Sequence, residues 1–281
     1  MCLYSVGELV CALPEAERVS GVTVLEGMVY ILRDKIRDQV EVYEVIAYRL
    51  QRCLTVPNAR RFTDMTSCEH YHYVYMSDPS GKCVHRLDVQ GGIKMWSVND
   101  VPTCLSVNIV RNLLVTCRDE QKIKEFSSSG YYLRDIQLPA SVVNPRHALE
   151  LCTGGFVVCH GSTRLSDPLH RVCKVSPDGR RVVHAHGGKR GSDSGQYNGP
   201  HHLAIDDNEF VFVMDVFNRR VTMLSPTLDF ARQLVVSRKE TSCYPSRLCL
   251  DVERQRLYVT ENEGQNGNTS VGRVVVFSVT T

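Results

Sequence analysis

The side chains in this 281-residue chain best suited to chemistry are among its ten histidines. A neutral imidazole is a ready ligand for transition metals, and its ordinary pKa puts its charge change near physiological pH. His201 and His202 are adjacent in GPHHLAID, and His147 lies in RHALEL, a run of similar cast. A catalytic zinc takes three protein ligands and leaves a position for water or substrate. His147 and His201 would supply two of them if the fold brought them together. Glu69-His70-Tyr71-His72 offers a second pair, with His70 and His72 on one face of a strand; hydrogen-bonded or surface histidines are its plainer reading. Nucleophilic and phosphate-binding patterns are missing. The chain has no G-x-S-x-G elbow, no cysteine at a helix start that would acidify it, and no terminal Lys-Ser/Thr in the Gly-rich run 187–199.

The twelve cysteines are spread singly, without a CxxC pair or metal-knuckle spacing. Cys104, Cys117, Cys159 and Cys249 sit in apolar runs, where a free thiol behaves as a small buried hydrophobe. That usage points to reduced core thiols and a cytoplasmic protein. The Asn268-Thr269-Ser270 sequon points the other way. A net charge of +2 leaves no overall basic field, and no DNA partner is expected. No run approaches the roughly 20 apolar residues of a membrane span. Glu8 interrupts the apolar start of a chain that has no basic flank before it, so no membrane association or secretory signal is expected.

The elements that must position these side chains repeat. Residues 199–224 spell out a short strand, a polar turn, a second strand, a tight corner at Asp215-Val216-Phe217-Asn218, and a third strand. The second strand recurs as VYILR, VYMSD, LLVTC, FVVCH, VFVMD and LYVTE, starting at Val29, Val74, Leu113, Phe156, Val211 and Leu257. These starts are 39 to 55 residues apart, near the period of four-stranded propeller blades. Glycine after several third strands suits a hairpin into a fourth. The last repeat runs out after its third strand, and residues 7–13 read as the missing fourth. The expectation is an all-β, six-bladed β-propeller of four-stranded antiparallel blades. It forms a single domain over residues 1–281, closed by the N-terminal strand.

Superposing the repeats places Ser20, Thr63, Thr103, His147, His201 and Ser246 around the mouth of the central channel. His202 alternates to the other side of its strand. Arg60, Arg61, Arg146, Tyr244 and Arg247 lie in the loops that enter first strands, so they share that face. Asp215, Asn218 and Arg220 are assigned a structural role: turn capping and an ion pair across the corner.

The repeat resembles the NHL family of six-bladed propellers. Pro200, Asp215, Asn218 and Arg220 carry that family's signature in full. Elsewhere Cys117 and Lys122, His160, or Glu261 replace parts of it. NHL propellers of the tripartite-motif type bind single-stranded RNA or proteins on one face through Arg, Lys and aromatic residues. The resemblance therefore implies a non-catalytic scaffold whose channel-mouth face binds a protein or single-stranded RNA without a cofactor. The binding face would comprise Arg60, Arg61, Thr63, Thr103, Arg146, His147, His201, Tyr244, Ser246 and Arg247. Pro200-His201-His202-Leu203 and His147-Ala148-Leu149 are also similar to segments of peptidyl-hydroxyglycine amidating lyases. Those are six-bladed propellers with zinc on three channel histidines, and they imply the alternative of a zinc-dependent lyase or other metalloenzyme using His147 and His201.

Overall fold

The computed structural model describes residues 5–34, 39–161, 169–235, 243–263 and 271–280; the Asn268 sequon lies outside them. Runs rich in β-branched and aromatic residues become antiparallel strands, grouped into six sheets that are the blades of a propeller. Blade 1 comprises Val19–Leu25, Met28–Arg33, Gln39–Glu44 and Leu50–Thr55. Blade 2 comprises Asp64–Cys68, Tyr73–Asp78, Cys83–Asp88 and Ile93–Ser97, and blade 3 Pro102–Val107, Leu113–Cys117, Lys122–Phe126 and Tyr132–Gln137. Blade 4 comprises Pro145–Glu150, Phe156–His160, His170–Val175 and Val182–Gly188, and blade 5 Pro200–Ile205, Val211–Asp215, Arg220–Leu224 and Phe230–Val235. Blade 6 takes Cys243–Asp251, Arg256–Glu263 and Val271–Thr280 from the C-terminal end of the chain and Ser5–Ala12 from the N-terminal end. The expected closing strand is therefore present, displaced slightly toward the N-terminus. Among the described residues the only helices are single 3-10 turns, and no helix is long and apolar enough to cross a membrane.

A sheet with two apolar faces must bury both, and the ring does so by stacking blades. Second strands such as Leu113–Cys117, Phe156–His160 and Val211–Asp215 are buried at every position, whereas the fourth strand Leu50–Thr55 is almost wholly exposed. Each of the six blade interfaces carries its own apolar core. Tyr30, Leu32, Met65 and Met76 fill the first, and Phe212, Met214, Leu248 and Val259 fill the one between blades 5 and 6.

Ring closure depends on Asn262. Its side-chain carbonyl accepts the Val19 N–H at 2.7 Å and its amide donates to the Val19 carbonyl at 2.9 Å, joining blade 6 to blade 1. Arg33 reinforces the seam by donating to the Gly272 carbonyl at 2.8 Å. No side chain fits at Gly272, because a Cβ there would lie 2.4 Å from Asn262 Oδ1 and 2.7 Å from the Val19 nitrogen. Gly272→Ala is therefore expected to lower unfolding free energy by about 1–3 kcal/mol, the usual cost of overpacking. Denaturant titration checks this, and wild-type stability in the variant would contradict the role given to the seam.

Candidate functional site: the channel belt and the basic mouth

First strands line the channel, and their pairing with the second strands defines one equivalent position per blade. Opposite Leu32, Ser77, Thr116, Cys159, Met214 and Thr260 stand Gly21, Asp64, Cys104, His147, His202 and Arg247. Four of these follow a proline by two residues, as in Pro145-Arg146-His147 and Pro200-His201-His202, and the residue between lies on a bulge. The sequence-based ring had aligned His147 with His201. The bulge instead makes His201 the counterpart of Arg146 and His202 that of His147. His202 is missed as a partner of His147 for this reason, although the shared proline spacing was an available signal; Asp64 carries no such proline.

Asp64, His147, His202 and Arg247 form a buried belt across the channel. The His147 and His202 rings stack with centroids 4.1 Å apart and planes 13° from parallel. His147 Nδ1 accepts the Leu203 N–H at 3.0 Å, and its Nε2–H donates to the Leu105 carbonyl at 3.0 Å. His202 Nδ1 accepts the Leu248 N–H at 3.2 Å, while its Nε2 lies 3.2 Å from Asp64 Oδ1. Asp64 Oδ2 accepts the Leu105 N–H at 2.8 Å, and Arg247 Nε lies 2.9 Å from Oδ1. Arg247 Nη1 also donates to His201 Nδ1 at 2.8 Å.

Electrostatics follow from this arrangement. Burial favours neutral imidazoles, so His147 is pushed down to about 3 and His202 is also lowered; Asp64 opposes the shift in both. Burial alone would raise the Asp64 carboxyl, but His202 and Arg247 outweigh it and hold the group at about 2. Burial pushes the thiol of Cys159, behind His147 in the second strand, up to about 12, which leaves no activated nucleophile at that position.

The nearest ligand atoms of Asp64, His147 and His202 lie within 4.8 Å of one another, which raises the question of a metal. The donor set does not fit one. Both ring nitrogens of His147 and one of His202 are committed to backbone groups, and an ion beside Asp64 would face the guanidinium of Arg247. The other histidine pair is no better placed. His70 packs edge-on against Tyr71, and His72 is a left-handed residue that pairs with Glu26 of blade 1, so the two do not share a strand face.

Two cavities flank the belt, and no described residue lines both. One, of about 830 Å³, opens past Glu26, Glu69, Asp207, Asp251 and Glu253, with Arg254 among them. The other, of about 880 Å³, is walled by Arg18, Arg61, Arg118, Arg146 and Arg247, against Asp34 and Glu263. Thr63, Thr103, His201, Tyr244 and Ser246 also line this basic mouth, as does Ser20. Of the expected face, only two residues fall elsewhere. His147 lies deeper, on the acidic side, and the exposed Arg60 stands outside the cavity. Arg247 is paired with Asp64 and Arg118 with Asp119, at 2.9 and 3.0 Å, whereas Arg18, Arg61 and Arg146 have no ion pair among the described residues. Burial lowers Arg146, and Arg118 and Arg247 push it further; burial also lowers Arg18, which Asp34 supports while Arg61 and Arg247 oppose. Among the described residues the Arg146 side chain donates to the Gly161 carbonyl at 3.3 Å.

No protein-family model matches the sequence, and no curated protein does. Solved structures do match over nearly full length. The PQQ-bound aldose sugar dehydrogenase from Streptomyces coelicolor aligns at a TM-score of 0.70 with 11% identity, covering 99% of both chains. A streptogramin B lyase aligns at 0.64 with 9% identity and 98% of both chains. Virginiamycin B lyase from Staphylococcus aureus aligns at 0.61 with 10% identity and 99% of both. Identities this low speak for the shared propeller fold alone.

The belt predicts acid sensitivity. His147 has a folded pKa well below the ordinary histidine value, so the unfolded chain binds the proton first as pH falls. Its stabilising contribution is complete above about 6.5 and is lost progressively as pH drops from there toward about 3. Denaturant midpoints should fall below pH 6.5, with each such histidine adding a slope of up to about 1.4 kcal/mol per pH unit. His147→Gln should reduce that slope, and an unchanged slope would contradict the burial of a neutral His147.

Proposed function

We propose that this chain is a non-catalytic interaction module, an NHL-type propeller whose basic channel mouth receives an acidic segment of a protein partner. The observation that carries the reading is the set of five guanidinium groups on one cavity, of which Arg18, Arg61 and Arg146 have no ion pair among the described residues. Like charges held together at this depth repel one another, and an anionic group entering among them relieves that repulsion and gains charge-assisted hydrogen bonds. The guanidinium fork suits carboxylates and phosphates, which it can hold through two hydrogen bonds.

A protein ligand is favoured over single-stranded RNA by the aromatic side chains. Tyr244 is the aromatic residue expected to stack bases, but Arg219 lies over its ring at 4.5 Å and Phe217 packs against it at 6.0 Å. A funnel of this volume accommodates side chains or a chain terminus, whereas base stacking needs open platforms. The zinc-lyase alternative is weakened by the committed ring nitrogens of His147 and by Arg247. The Asp215 corner supports the repeat assignment. Its carboxylate accepts from Asn198 N–H, Asn218 Nδ2 and Arg220 Nε at 2.7, 2.7 and 2.9 Å. All the described cysteines are free thiols, in keeping with a cytoplasmic location.

A fluorescein-labelled Glu-rich peptide and a random single-stranded RNA 20-mer, each titrated at low and moderate salt, test the reading. Salt-sensitive peptide binding that weakens at least tenfold in an Arg61→Glu, Arg146→Glu double variant is expected. Tighter RNA than peptide binding, lost in the same variant, would reassign the partner class. Absence of any binding at low salt would overturn the proposal.

A further inference from the structure

Three of the six blades keep a buried acid–guanidinium pair near the corner where the second strand turns into the third; blades 3 and 4 have Cys117 and His160 at the acid's position, and blade 2 keeps the acid without the guanidinium. Asp215 and Arg220 pair at 2.9 Å in blade 5, Glu261 and Arg273 at 2.8 Å in blade 6, and Arg33 and Glu41 at 2.9 Å in blade 1. Each keeps a buried carboxylate beside a fixed cation, as a low dielectric requires. In blade 2 the carboxylate is Asp78, fully buried, but Cys83 stands directly opposite it where blade 5 has Arg220. His85 is the only basic side chain within ion-pair distance of Asp78 among the described residues, at 3.8 Å. The acid has kept its place while its guanidinium has been replaced by a thiol and an imidazole.

We propose that Asp78, Cys83 and His85 bind a divalent transition metal of the zinc type beneath this corner. The nearest ligand atoms all lie within 4.8 Å of one another, with Cys83 Sγ 3.4 Å and Asp78 Oδ2 3.8 Å from His85 Nε2. Tetrahedral zinc, with its usual bond lengths, places sulfur and nitrogen about 3.6 Å apart and nitrogen and oxygen about 3.4 Å apart. The two separations from His85 Nε2 thus differ from these values by only a few tenths of an ångström. His85 Nε2 is poised between two partners at long range, and its buried Nδ1 has no hydrogen-bond partner among the described residues. Gly81 closes over the cluster: a Cβ there would lie 2.9 Å from the sulfur and 3.0 Å from Asp78 Oδ2. One thiolate with one imidazole selects zinc, cobalt or copper over magnesium or calcium.

Binding exchanges the thiol proton, released to solvent, for a metal–sulfur bond. Without an ion, burial and the neighbouring Asp78 push the Cys83 thiol up to about 11; a bound dication reverses that preference. The ion would act as a staple. Asp78 also accepts the N–H groups of Arg60 and Gly81 at 2.9 and 2.8 Å, so a metal here holds both the turn and the loop that carries Arg61 to the basic mouth. The inference does not depend on what that mouth binds.

Cobalt(II) added to the metal-free full chain tests it. One equivalent should produce a near-ultraviolet thiolate-to-cobalt charge-transfer band that zinc removes and that Cys83→Ser abolishes. Cys173→Ser, beside His160 in blade 4, should retain the band, and the Asp64–His147–His202 belt, having no thiol, cannot produce it. If Cys83→Ser fails to fold, mass spectrometry of wild-type Cys83 alkylation replaces it, and zinc should slow the reaction at least tenfold. Absence of the band, its persistence in folded Cys83→Ser, or alkylation unaffected by zinc would each overturn the site.

Discussion

Neighbouring blades share no backbone ladder, and the rest of the structure answers to that constraint. Each first strand pairs with its own second strand on one edge and presents buried N–H groups on the other. Such donors must find acceptors, because an orphaned buried amide costs about as much as a lost hydrogen bond. The acceptors are side chains reaching across from the preceding blade. Asp64 accepts from Leu105, His147 from Leu203, His202 from Leu248, and Asn262 from Val19. An acceptor with no second proton to place, or a neutral imidazole with one ring nitrogen free, meets this need at little cost. The residues that most resemble catalytic groups are therefore the ones that lock the ring.

This requirement also shapes the channel. Once Asp64 is ionised it needs a buried cation, and Arg247 from blade 6 supplies it. The belt then leaves two cavities of opposite charge in a chain whose net charge is only +2. The charge asymmetry is local: a basic mouth on one side of the belt and an acidic one on the other. Charge segregation of this kind sets up opposite electrostatic potentials at the two ends of the channel.

Much of this was legible in the sequence. The second strands announce themselves because burial on both faces demands continuous apolar runs, and their spacing fixed six blades and the need for a closing strand. The basic mouth was legible because loops entering first strands must share a face, which collects Arg61, Arg146 and Arg247. The belt was not legible. A one-residue bulge after each leading proline shifts every later side chain to the other face, so His201 and His202 exchange roles. Asp64 has no such proline two residues before it. His72 could not be placed, because a left-handed turn follows the 3-10 segment where a strand was expected. The Asp78–Cys83–His85 cluster becomes visible only when the hairpin register sets Asp78 opposite Cys83.

The geometry makes His147 and His202 neutral structural acceptors, neither titrating near neutral pH nor free to ligate a metal. Long-range nitrogen–proton NMR of the histidine side chains, followed from pH 8 to pH 5, tests it most directly. Both rings should hold a single neutral tautomer with the proton on Nε2 throughout, with shifts insensitive to added zinc. Titration of either ring near pH 6.5, or a zinc-dependent shift of its nitrogens, would contradict it.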